Sequence, residues 1–193
     1  MSTQADLAGA FADIDAANRQ DPNLEHGEPK ELLYSRRMSE TLAEFAPQAS
    51  ANLQLAARAQ HIERWILPRS DYPMDRAGYK KWRTELGRHH AQKTAEIMAA
   101  RGFSQEDCDQ VSDMLQKKRL KRDPEVQALE DVICLVFLQH YLDDFARKHD
   151  KAKLIDIIRK TWKKMSEDGH KAALKLSFSP ESGALVQKAL QGD

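Results

Sequence analysis

Cysteine is nearly absent: Cys108 and Cys134 are the only two, with no CxxC pair and no Cys-rich knuckle. That excludes a disulfide framework and a zinc finger, and free thiols in a reducing cytoplasm are expected. Cys108 stands among Glu106, Asp107 and Asp109, whose charges disfavour a thiolate and argue against a nucleophile. An excess of charge is also missing. Lys plus Arg and Asp plus Glu number 30 each, so no whole-molecule field draws the chain to nucleic acid or an acidic membrane. Long apolar runs are missing too. The longest, residues 132–138, is far short of the ~20 residues of a membrane span. The start, Met1-Ser-Thr-Gln-Ala-Asp-Leu7, lacks the basic and apolar regions of a signal peptide. No GxGxxG, GxxxxGK[ST], GxSxG or HExxH occurs, which removes the phosphate loops, the serine-hydrolase elbow and the common zinc-protease motif. No alternating strand pattern, repeat or low-complexity segment is found.

What remains is helical periodicity. Ser2 or Thr3 can cap a helix to about residue 19, with Leu7, Phe11 and Ile14 on one side. A loop follows, broken by Pro22 and Gly27. Pro29 opens a second helix that buries Leu32, Leu33, Met38, Leu42 and Phe45. A third is expected over residues 51–66, with Leu53, Ala57, His61 and Trp65 at four-residue spacing on one face. A fourth spans about residues 79–101, with Trp82, Leu86, His90, Thr94 and Ile97 in one stripe, and Gly102 can end it. Ser104 caps a fifth with Val111, Met114 and Leu115. After the basic stretch 117–122, Pro124 opens a central helix to about residue 148. Helices over 154–165 and 180–190 complete a single all-α domain of seven or so helices. It is divided into an N-terminal helix and loop (1–28), a core (29–166) and a C-terminal segment (167–193).

The central helix carries Glu130 and Asp131 directly into the apolar run 132–138. Carboxylates are seldom buried without a partner, because removing their water costs several kcal/mol. His61 and His90 lie on apolar faces, whereas His89 shares a face with Glu85, Gln92 and Glu96 and is expected in solvent. Two imidazoles and two acids on three helices are the ligand types for a divalent Zn, Mn, Fe, Co or Ni ion. A hydrogen-bonded structural network is the alternative. Arg58 and Arg64 flank His61, and Arg69, Arg76, Lys80, Lys81 and Arg83 follow. Lys117, Lys118, Arg119, Lys121 and Arg122 precede the acids. Such cations suit phosphate or carboxylate, or form a solvated basic loop. No aromatic residues interleave with them, so nucleic acid is not favoured.

Asp21-Pro-Asn, Glu31-Leu-Leu-Tyr34, Ala56-Ala-Arg-Ala-Gln-His61, Tyr72-Pro-Met-Asp-Arg-Ala-Gly-Tyr79, Trp82-Arg83, His90-Ala91 and the run from Glu130 to Leu138 resemble domain-of-unknown-function family 4202 over nearly the whole chain. More distantly, the order of elements is similar to the HD superfamily of all-helical, metal-dependent phosphohydrolases. Ala56-Ala-Arg-Ala-Gln-His-Ile62 looks like that superfamily's metal-binding segment, with Gln60 and His61 in place of its His-Asp pair. His90 resembles an additional His of some members, Asp131 resembles the last metal-binding Asp, and Tyr34 lies about where the first His would be. The resemblance implies an HD-like hydrolase acting on a small phosphorylated or nucleotide-type substrate. One divalent metal would be held by His61, His90 and Asp131, with Glu130 as fourth ligand or general base. Arg58, Arg76, Lys117 and Lys118 would hold the anion. The alternatives are a non-catalytic sensor of a small anionic metabolite and a helical partner-binding module.

Overall fold

Asp6 accepts the Gly9 N–H at 2.8 Å and so starts the first helix of the computed structural model, which describes residues 4–191. That helix, α1, runs Leu7–Asn18. The caps expected at Ser2 or Thr3 lie outside the described residues. Ten α-helices occur among the described residues, together with one two-residue hairpin. The all-helical expectation therefore holds, with more and shorter helices than the seven read from periodicity. The chain divides into two compact units, residues 1–120 and 121–193. No helix among the described residues is long and apolar enough to cross a membrane.

The first unit continues from α1 into the hairpin, where Leu24 pairs with Pro29 and Glu25 with Glu28. His26 and Gly27 turn it with φ of 51° and 80°, the left-handed pair that a tight two-residue hairpin requires. The sequence reading missed this pairing because two residues per strand leave no alternation to detect. The Asp21 carboxylate then accepts the Asn23 and Glu31 N–H groups, each at 2.9 Å, and thereby fixes the entry to α2, Lys30–Phe45. Next come α3 (Ala51–Arg58), short 3-10 turns at Arg64–Ile66 and Arg69–Asp71, α4 (Arg76–Ala100) and α5 (Gln105–Leu115). Ser104 caps α5 through the Asp107 N–H as expected, and Gly102 closes α4 with φ 82°. Ile14, Met38, Leu55, Ile62, Leu86, Met98 and Val111 form its buried core. Helix α3 packs on α1, α2 and α5, and α4 lies along α5.

Helix α3 ends eight residues earlier than its periodicity suggests. Glu63 takes a left-handed conformation (φ 54°), and its N–H is captured by the Asn18 side chain at 3.1 Å. A buried polar side chain from another helix thus overrides local propensity. His61 consequently sits in a turn rather than on a helix.

In the second unit, α6 (Pro124–Val136) passes through a π-type turn at Phe137–Tyr141 into α7 (Leu142–Lys148). The single helix expected to residue 148 is thus interrupted. Its apolar stretch is mostly buried, but Ile133 and Phe137 are partly open to solvent. Three more helices follow, α8 (Lys151–Lys164), α9 (Glu167–Ala173) and α10 (Pro180–Leu190). Helix α9 is a finding: seven residues containing Gly169 give too little pattern to read. Leu129, Val132, Leu142, Leu154 and Ile158 form this unit's core.

Candidate functional site

The first unit holds a cavity of about 220 Å³ whose wall includes His61, His90, Arg83 and Lys117. Three segments build it. The turn after α3 supplies Gln60 and His61, α4 supplies Arg83, Gly87 and His90, and the end of α5 supplies Leu115, Gln116 and Lys117. The three α4 residues follow from helix geometry, because positions 83, 87 and 90 are four and three apart and share one face.

His61 is held on two sides. Its ring stacks on Tyr34 at 3.8 Å between centroids, nearly parallel, and its Nδ1 meets Glu31 Oε2 at 3.1 Å. Glu31 and Tyr34 are one turn apart on α2, and both are buried. His90 places Nδ1 2.7 Å from the Ile62 carbonyl oxygen, which can only accept. Its Nδ1 therefore carries the hydrogen, and the neutral ring has a bare Nε2. The two rings lie 6.3 Å apart.

Electrostatics favour neutral imidazoles. Burial holds His61 well below its usual value, and Arg64, Arg83, Lys117 and Lys30 push it further down. Burial takes His90 down to about 3; the His61 ring adds to this and the Ile62 carbonyl opposes it. Burial pushes the Glu31 carboxyl up, opposed by Arg64, Lys30 and His90. The Glu31–His61 contact is accordingly a hydrogen bond to a neutral ring, not an ion pair. Arg64 also lies over the Trp82 ring at 5.3 Å. Among the described residues no carboxylate pairs with Arg83, whose guanidinium shares the cavity wall with Lys117.

The residues singled out from sequence separate into groups. His61, His90 and Lys117 meet around this cavity. Arg58 is bound in a fork to Asp15, at 2.8 and 2.7 Å, and Arg76 is exposed at the first position of α4. Lys118 is exposed and pairs with Asp113 at 2.8 Å. Glu130 and Asp131 belong to the second unit, and both are buried. There the Asp131 carboxylate accepts the Ser166 N–H at 2.8 Å and the Ser166 hydroxyl at 2.5 Å, with Gln127 Nε2 at 3.2 Å. His89, expected in solvent, is half-buried and meets Glu63 at 3.0 Å, beside Lys93 on the same carboxylate. The left-handed turn at Glu63 brings that carboxylate to α4, which helical spacing alone does not reveal.

Glu31 was not among the sequence candidates. Its signal was present but faint: positions 31, 34, 35, 38 and 42 fall on one stripe of α2, so the glutamate lies on the buried face. Among the described residues no group of three or more His, Cys, Asp or Glu side chains is arranged to hold a metal ion. His61 and His90 alone fall short of the three or four ligands that zinc takes from a protein.

A family model described as "Domain of unknown function (DUF4202)" matches residues 8–186, and the chain belongs to that family. No curated protein and no solved structure matches it.

Proposed function

We propose that this member of the DUF4202 family binds a small anionic molecule in the cavity of its first unit, and that the anion is a phosphate group. One observation carries the reading: the Arg83 guanidinium, with no carboxylate partner among the described residues, shares a cavity wall with Lys117 and two neutral imidazoles. A guanidinium fork matches phosphate geometry, and an ammonium adds a point charge. Lys30 and Arg64 reinforce the positive field at His61. The likeness to the HD superfamily, whose members act on nucleotides and phosphate esters, supports phosphate over carboxylate and an HD-like arrangement of helices. Isothermal titration with small phosphate esters tests it. Wild type binds, and Arg83→Ala loses tenfold or more, because a hydrogen bond to a charged group contributes about 1.5–3 kcal/mol. Equal affinity in the variant refutes the assignment.

A metal-dependent hydrolase, with His61 and His90 as ligands in the first-unit cavity, is the second reading. It is favoured by the Nδ1 contacts, since metal-bound histidines commonly give the other ring hydrogen to a carboxylate or carbonyl. Elemental analysis of protein purified without a His tag tests it. About one divalent ion per chain, lost in His61→Ala and in His90→Ala, is the expected result for a metalloenzyme.

A further inference from the structure

The cavity offers acceptors as well as donors. The Ile62 carbonyl fixes the hydrogen of His90 on Nδ1, and the Glu31 carboxylate draws the hydrogen of His61 to Nδ1 in the same way. Each ring then presents Nε2, with its lone pair, as the polar edge left to face the cavity. Arg83 and Lys117 are pure donors on the same wall. A ligand bearing only unprotonated anionic oxygens satisfies the cations, but sets its oxygens against nitrogen lone pairs. A buried acceptor without a donor is unfavourable, so the complementary ligand brings a hydrogen of its own. A cavity of about 220 Å³ has room for a three- or four-carbon ester.

We propose that the ligand is a small hydroxylated phosphate ester whose hydroxyl donates to Nε2 of His61 while its phosphate lies against Arg83 and Lys117. This rests on the phosphate reading above and adds the polyol portion and the role of His61 as acceptor. Glu31 is then a positioning residue: it holds the ring in the accepting tautomer.

The test compares glycerol 3-phosphate with n-propyl phosphate, which shares its three-carbon chain and phosphate but has no hydroxyl. In titration calorimetry of the full chain, the glycerol ester binds about tenfold more tightly, and in His61→Phe the preference falls to within about twofold. Equal binding of the two esters by wild type overturns this proposal and leaves the phosphate reading standing. Failure of both to bind overturns the two together. Should His61→Phe not fold, nitrogen-15 spectra of histidine-labelled wild type decide. The Nε2 signal of His61, assigned as the non-protonated nitrogen of a Glu31-bonded ring, moves with glycerol 3-phosphate and stays with n-propyl phosphate. A signal unmoved by either ester, although both bind, overturns the hydroxyl contact.

Discussion

Substituting Gly169 by alanine tests how the second unit is braced. A Cβ at this position would lie 2.5 Å from Asp131 Oδ1 and 2.8 Å from its Cγ. Ordinary van der Waals contact begins near 3.4 Å, so the carboxylate must withdraw by about 1 Å. That oxygen accepts from the Ser166 N–H and from Gln127, and a shift of this size breaks both contacts. A hydrogen bond to a charged acceptor contributes about 1.5–3 kcal/mol, and alanine returns up to about 1 kcal/mol through helix propensity. For the two bonds together, less the alanine gain, the expected net loss is about 2–5 kcal/mol. Urea denaturation followed by tryptophan fluorescence measures it, because Trp162 is in the same unit and stacks on His170, the residue after Gly169, at 4.3 Å. Gly183→Ala is the control. Its Cβ meets only the Phe178 Cβ at 3.6 Å, so it should be neutral or stabilising. A Gly169→Ala protein as stable as wild type would refute the account of Asp131 as the brace of α9.

Other outcomes follow from the first unit. Burial lowers the His90 imidazole from 6.5 to about 3, so its contribution to stability is complete above pH 6.5 and declines as pH falls towards 3. The drop has an upper limit of about 5 kcal/mol. The lowered His61 acts in the same direction. Glu31, raised by burial, opposes both, since its contribution is present below 4.5 and lost as pH rises through its folded value. Acid unfolding of His90→Phe should show a shallower slope between pH 6.5 and 4, and an unchanged slope would contradict the buried neutral ring. Arg58→Ala should cost about 1–2 kcal/mol in thermal denaturation through its fork to Asp15, and leave phosphate-ester affinity unchanged. Gly87→Leu should fill the cavity and abolish binding while the melting temperature stays within a few degrees, because a Cβ there has its nearest neighbour at 3.7 Å. Binding retained in that variant would place the ligand elsewhere.

Periodicity revealed the long helices because α4 and α5 carry regular apolar stripes and side-chain caps, and Pro180 marks the start of α10. It failed at residues 59–63, where the Asn18 side chain, distant in sequence, halts α3. It failed again at Phe137–Tyr141, where an apolar run continues unbroken through a change in helix winding. The candidate site was half legible. His61 and His90 stood out as imidazoles among apolar residues, and Lys117 as part of a basic run. Glu31 did not, because a single acid on the buried stripe of α2 gives only a faint signal. Asp131 was correctly placed in the interior, yet its polar partners came from Ser166, at the cap of a helix too short to read. Burial of an acid implies that some partner exists; only the tertiary arrangement says which.

Lys117 follows the last turn of α5 with φ 55°, and its N–H and that of Lys118 close the helix end on Met114 and Asp113 at 3.0 Å each. Glycine is the usual occupant of such a position, because a side chain there costs about 1 kcal/mol. Lys117→Gly should therefore give a sturdier protein with a weaker hold on phosphate. An engineer selecting on melting temperature alone would drift towards that glycine and discard a cation from the cavity wall. At residue 117, robustness and recognition pull in opposite directions.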